Sequence, residues 1–215
     1  RKCGEYEMMV DIHDEYRPTG FSRTYPNLMT QEGIRGNEEM PDATHNTILP
    51  FTRFLAGAAD YTLCYFNGRV KNTKAHQLAM AAVYYSPLQF MFWYDRPEFY
   101  KGEEELEFWK AIPSVWDDSR ALDGEIGEYI IQARRSGNDW FVGAMTNTEA
   151  RTVTVMTDFL EPGKKYTAHL YEDDDKLNTG TKVRTAHKKV KAGDKLILKL
   201  KASGGAALHF TPIEK

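Results

Sequence analysis

Residues 30–40 read TQEGIRGNEEM and carry Glu32, Glu38 and Glu39 around Gly33 and Gly36. Glycines at that density suit neither a helix nor a strand, so the stretch is a loop studded with acids. Upstream, His13 and Asp14 stand together in HDEYRPTG, with Glu15 beside them. Carboxylates held in a shaped loop serve two chemistries. They move protons to and from a reacting bond, and they supply oxygens to a hard cation. Acids in loops are also common as plain solvated surface. Residue type alone leaves these readings open.

The whole chain narrows the classes. It has 215 residues, 41% of them hydrophobic, enough for one large or two small domains with a buried core. The net charge is -3. No basic stripe points to nucleic acid and no polybasic patch to an anionic membrane. No apolar run approaches the ~20 residues that span a bilayer, so membrane insertion is not expected. Aromatic residues make up 13%; with clustered acids they fit a neutral ligand with flat faces, such as a sugar, and equally an ordinary surface. Cys3 and Cys64 are the only cysteines. Their spacing decides neither pairing nor freedom.

The elements that must position these acids change character along the chain. EMMVDI, residues 7–12, reads as a short buried strand ending in a Pro18–Gly20 loop. TILPFTRFLAG reads as a short helix ending at Gly57, and AADYTLCYF as strand or loop. KAHQLAMAAVYYS is a helix stopped by Pro87, LQFMFWY a fully buried strand, and EEELEFWKAI an acidic-first helix stopped by Pro113. Strands alternating with helices are the rhythm of a parallel α/β fold. After Ser114 come short β-like runs with turns between them: EYIIQARR and WFVGAMTN as a hairpin, then RTVTVMT, KYTAHLY, TKVRTAHKKV, KLILKL and AALHFTP. That pattern is an antiparallel β-sandwich. The expected fold is α/β plus all-β. Residues 1–113 are too few for a closed eight-stranded barrel, which takes ~200 or more. They read as the C-terminal part of a (β/α)8 barrel, followed by a sandwich over 114–215.

Several long blocks, taken in order, resemble glycoside hydrolase family 97: HDEYRPTGFSRTYPNLMTQEGIRGNEE, THNTILPFTRFLAGAADYT, AHQLAMAAVYYSPLQF and IPSVWDDSRALDGEIGEYIIQARRSGNDWFVGAMTN. The resemblance runs essentially end to end. It implies the last part of a catalytic barrel and the C-terminal sandwich of bacterial α-glucosidases and α-galactosidases, exported typically to the periplasm. It implies a catalytic base at Asp14, where the inverting α-glucosidase branch has a glutamate. It implies a calcium ligand at Glu32 and the general acid at Glu38, with Asp14, Glu32 and Glu38 together as Ca2+ ligands. Asp14 departs from that branch by one methylene. The retaining branch carries glycine there and takes its nucleophile from an earlier strand. A carboxylate at Asp14 thus favours an inverting, exo-acting α-glucosidase. The alternatives are a retaining α-galactosidase of the same family and a non-catalytic carbohydrate-binding module on the sandwich.

Other residues carry weaker expectations. His13, at the strand end beside Asp14, is a candidate for a sugar hydroxyl. Arg17 and Arg35 are expected to pair with the acids, and Glu39 to be a solvated neighbour. Tyr25 and His45 are candidates for the pocket rim. Trp116, Trp140 and His76 are expected to pack in the core. Expected partners are an oligosaccharide and either the missing N-terminal part of the same polypeptide or a second copy covering the open barrel face. The abrupt start on a strand reads as part of a longer polypeptide.

Overall fold

The computed structural model describes residues 1–14 and 17–213. The first half is built from short pieces: α1 (Lys2–Glu5), β1 (Val10–Ile12), α2 (Phe21–Thr24), β2 (Leu28–Gln31), α3 (Ala43–Ile48), α4 (Lys74–Val83) and α5 (Glu107–Ala111). β1 and β2 pair in parallel, with Ile12 opposite Gln31, as adjacent barrel strands do. No helix among the described residues is long and apolar enough to cross a membrane.

The second half is antiparallel throughout. β3 (Asp118–Glu125), β4 (Tyr129–Ser136), β5 (Asp139–Thr146), β10 (Gly205–Pro212), β7 (Lys165–Asp173) and β8 (Val183–Lys191) lie side by side in that order. β6 (Arg151–Met156) and β9 (Lys195–Leu200) form a separate pair. Side-chain alternation splits the large sheet into two faces. Trp140, Val142 and Ala144 with Leu208 and Phe210 pack against Val153, Val155, Leu196 and Leu198 of the pair. Phe141, Met145, Tyr171 and Ala207 face the other way and pack on α4 and α5.

α4 is the joint between the halves. All its residues from Ala75 to Val83 are buried, and the sandwich holds both its ends. Thr73 caps it and donates to Asp173 Oδ2 at 2.7 Å, while Asp173 Oδ1 accepts the Ala75 N–H at 3.4 Å. A carboxylate there complements the positive end of the helix. At the other end Arg134 donates to the Ala82 and Val83 carbonyls at 2.7 and 3.0 Å. Gly143 lets helix and sheet close together: a Cβ at this position would lie 2.4 Å from the Ala79 carbonyl oxygen. His76, in the first turn of α4, bridges the two halves. The Gly204 carbonyl can only accept, so Nδ1–H of His76 donates to it at 3.0 Å, and Nε2 accepts from Asn46 Nδ2 at 3.2 Å. Asn46 Oδ1 in turn accepts from the Tyr61 hydroxyl.

Two expected strands differ. In residues 7–12 only Val10–Ile12 form strand; Met8 and Met9 are 57% and 68% exposed and not buried. LQFMFWY is neither a regular strand nor buried, with Phe90 and Tyr94 exposed. It meets one neighbour: Leu63 donates to the Phe90 carbonyl and Trp93 donates to the Leu63 carbonyl. Its backbone then turns left-handed at Phe92 and Tyr94. The expected helix over TILPFTRFLAG breaks after Ile48 into 3₁₀ turns, because Pro50 supplies no N–H to an α-helical ladder. Cys3 is exposed, Cys64 is buried, and both are free thiols.

Candidate functional site

The parallel pairing brings the acids together. His13 follows β1 and Glu32 follows β2, and Glu32 N–H donates to the Ile12 carbonyl at 2.8 Å. C-terminal ends of neighbouring parallel strands thus present both side chains on one rim. Asp14 turns left-handed at φ 59, and its N–H donates to Glu32 Oε2 at 2.5 Å. Glu38 arrives on the 3₁₀ turn Asn37–Glu39. Gly36 makes that arrival possible, since a Cβ there would lie 2.5 Å from the Tyr61 carbonyl oxygen. Asn37 N–H then donates to that carbonyl at 2.8 Å, and its side chain donates to Gln77 Oε1 on α4 at 2.8 Å.

His13 stands in the middle. Its Nδ1 lies 3.5 Å from Glu32 Oε2 and 3.5 Å from Asp60 Oδ2, and its Nε2 lies 3.4 Å from Glu38 Oε1. Its ring leans on Trp93, with centroids 5.2 Å apart. His13, Asp14, Glu32 and Glu38 each offer one ligand atom, all within 4.8 Å of one another; Asp11, His13 and Asp60 do the same. Crowding shows in the proton affinities. Burial and a hydrogen bond with Glu38 push the Glu32 carboxyl up to about 7. Burial and the neighbouring Asp60 push Asp11 up to about 6. Burial works against a charge on His13, yet Glu32, Glu38, Asp60 and Asp14 together hold it above its ordinary value. Clustered acids around one imidazole call for a positive charge at their centre. Three carboxylates suit a hard, oxygen-seeking dication such as Ca2+, which takes 6–8 oxygens, so further ligands would come from beyond this cluster.

The structure therefore brings together His13, Asp14, Glu32 and Glu38. Glu15 lies outside the described residues. Glu39 is exposed, and Arg35 donates to its carbonyl at 3.5 Å instead of pairing with an acid. No ion pair of Arg17 occurs among the described residues. His45 donates to the Arg35 carbonyl at 3.1 Å and belongs to the loop's support. Tyr25 is exposed beside Phe21. Trp140 is buried and Trp116 packs partly buried on the core. Asp11, Asp60, Trp93 and Arg53 were not legible as site groups. Arg53 holds the acid loop through the carbonyls of Gln31, Glu32 and Gly33 at 2.7, 3.0 and 2.9 Å. An arginine within LPFTRFL carries no motif that would announce this.

Known proteins share this arrangement of halves. A family profile described as Glycoside hydrolase 97 matches residues 1–34, and one described as Glycosyl-hydrolase 97 C-terminal, oligomerisation, matches residues 115–211. A retaining alpha-galactosidase of Bacteroides thetaiotaomicron is 34% identical over 97% of this chain and 34% of its own length. A probable retaining alpha-galactosidase of Streptomyces bingchenggensis is 34% identical over 70% of this chain and 24% of its own length. A glycoside hydrolase family 97 enzyme from Pseudoalteromonas sp. strain K8, solved with panose, superposes with a TM-score of 0.88 at 35% identity. It covers 98% of this chain and 36% of that one. The same enzyme was also solved with acarbose. The chain thus spans about a third of the length of the first of these relatives. With both ends matching family profiles and a 34% identical relative aligned across 97% of its length, the chain belongs to glycoside hydrolase family 97 and carries a small piece of the catalytic domain followed by the C-terminal domain.

Proposed function

We propose that this chain is the C-terminal part of an exo-acting α-glycosidase, and that Glu38 donates the proton to the leaving oxygen. The observation that carries this is the convergence of Asp14, Glu32 and Glu38 on His13 at the rim of two parallel strands. Glycoside cleavage needs one carboxylic acid to protonate the departing oxygen and a second carboxylate to act on the sugar or on water. Glu38 is half-buried, and its backbone is held by Thr62 Oγ1 at 3.4 Å, which suits an acid that must keep one orientation. His13 offers a ring nitrogen to a sugar hydroxyl. Residues 1–113 are read as the barrel part and 114–215 as the sandwich.

The retaining α-galactosidase reading is the better supported one. Both curated relatives described above bear that activity in their names. An inverting pair is held about 6.5–9.5 Å apart to admit water. Asp14 and Glu38 offer oxygens within 4.8 Å of each other, a spacing that favours sharing a cation over flanking a water. The nucleophile would then come from a part of the barrel outside this chain. The inverting α-glucosidase reading rests on the carboxylate at Asp14, where the retaining branch carries glycine. Assay of the full-length parent on nitrophenyl α-galactoside and α-glucoside, with the first anomer followed by NMR, separates them. We expect faster α-galactoside turnover with the α-anomer released first. Release of the β-anomer would sink the retaining reading.

Asp14 and Glu32, with an oxygen of the Glu38 carboxyl, would hold Ca2+, which would offset the repulsion of the charged acids and fix the sugar-facing rim. Added Ca2+ is expected to stabilise the parent by about 1.4 kcal/mol at a tenfold excess over Kd. Glu32→Gln should abolish most of that shift. A melting temperature indifferent to both Ca2+ and chelator would overturn the assignment.

The open side of the barrel piece meets other protein. Tyr6, Met8, Met9, Phe90 and Tyr94 are exposed in the barrel piece, and exposed apolar surface recruits partners. The natural cover is the remainder of the catalytic domain. The chain expressed alone should self-associate in light scattering, and a clean monomer at high concentration would count against this.

A further inference from the structure

One carboxylate without a motif of its own lies behind two groups of the cluster. Asp60 is fully buried, and its Oδ1 accepts the N–H groups of Thr62 at 3.2 Å and Phe90 at 3.3 Å. Those two bonds fix the carboxylate and leave Oδ2 facing His13 Nδ1 at 3.5 Å. Both of these atoms are buried without a hydrogen-bond partner. Thr62, which Asp60 holds from the other side, is left-handed at φ 57. That conformation is costly for a β-branched residue and persists only where the surroundings enforce it. It aims the hydroxyl so that Oγ1 accepts the Glu38 N–H at 3.4 Å and donates to the Tyr61 carbonyl at 2.6 Å.

We infer that Asp60 is a positioning residue of the glycosidase site, setting His13 directly and Glu38 through the turned Thr62. The inference rests on the reading of Glu38 as proton donor and His13 as a sugar-binding group. Its two limbs separate by chemistry. Asp60→Asn keeps Oδ1 as acceptor for Thr62 and Phe90 and changes the atom that faces His13 and neighbours Asp11. Thr62→Val removes the hydroxyl that meets Glu38 and leaves the Asp60 carboxylate in place.

The test uses the full-length parent with two substrates of the same sugar, an α-linked disaccharide and its nitrophenyl α-glycoside. The disaccharide needs its leaving oxygen protonated, whereas nitrophenolate leaves without help. Misplacing the donor therefore costs the disaccharide more. Thr62→Val is expected to lower kcat on the disaccharide about tenfold more than on the nitrophenyl glycoside, and Thr62→Ser to restore the ratio. Asp60→Asn is expected to leave that ratio as in the wild type and to raise KM several-fold. Equal losses on both substrates for Thr62→Val mean lost folding alone and overturn the Glu38 limb. An unchanged KM in Asp60→Asn overturns the His13 limb. Glu38→Gln is the control. If it shows no leaving-group dependence, the reading of Glu38 fails and takes its limb with it; if it does while Thr62→Val stays flat, only the inference fails.

Discussion

Glu38→Gln in the full-length parent will lower kcat on an α-linked disaccharide by roughly 10²- to 10⁴-fold, the usual worth of a positioned general acid. The same change will cost a nitrophenyl glycoside far less. The geometry gives the reason. Glu38 is held on a 3₁₀ turn whose neighbour Asn37 is tied to Tyr61 and Gln77, so its carboxyl has little freedom to be replaced by another group. An amide in its place keeps the shape and loses the proton. Because Glu38 also stands among the proposed cation ligands, Ca2+ content is measured alongside. A variant that keeps its Ca2+ and loses both substrates equally would exclude Glu38 as the acid.

Acidification will destabilise the joint between the two halves through His76. Its imidazole is wholly buried, and burial pushes it down to about 4 despite the favourable bond to the Gly204 carbonyl. In the unfolded chain a histidine titrates near ~6.5. Between those values the unfolded state binds the proton and the folded state does not. Stability from this group is therefore complete above about pH 6.5 and declines as pH falls toward 4, by about 3 kcal/mol in total. Glu32 and Asp11, whose carboxyls are raised, act in the opposite sense, since their folded forms hold protons more tightly. A His76→Gln variant separates the contributions. Denaturant unfolding of this chain from pH 7 to 4.5 should show the stability difference between the two proteins shifting toward the variant as pH falls, because only the wild type carries the His76 loss. Parallel curves would refute the role assigned to His76.

How much of this was open to a reader of the chain differs between the halves. In KLILKL the side chains alternate exposed and buried from Lys195 to Leu200, as the lysines at Lys195 and Lys199 imply, with Ile197 an exposed apolar exception. The hairpin of β4 and β5 turns at Gly137 and Asn138, where the turn residues stand. Antiparallel neighbours linked by tight turns are local, so period and turn chemistry suffice. The exception is β3: DSRALDGE is a mostly exposed edge strand and shows no apolar alternation to read.

The barrel part was harder because parallel pairing is non-local. LQFMFWY has the residue types of a buried strand, but its burial depends on neighbours on both sides, and it finds one among the described residues. The site divides in the same way. His13, Asp14, Glu32 and Glu38 were legible as candidates because they sit in a recognisable order of motifs. Their meeting within 4.8 Å was decided by the β1–β2 register and by the close approach at Gly36, both tertiary facts. Asp60 lies in AADYT, an unremarkable stretch, 22 positions past Glu38 by the numbering. Residue types and local periods determined which groups could do chemistry and where the sandwich strands run. Which acids share one imidazole was decided by the fold alone, because contacts between distant segments depend on how the chain closes, and no local pattern records that.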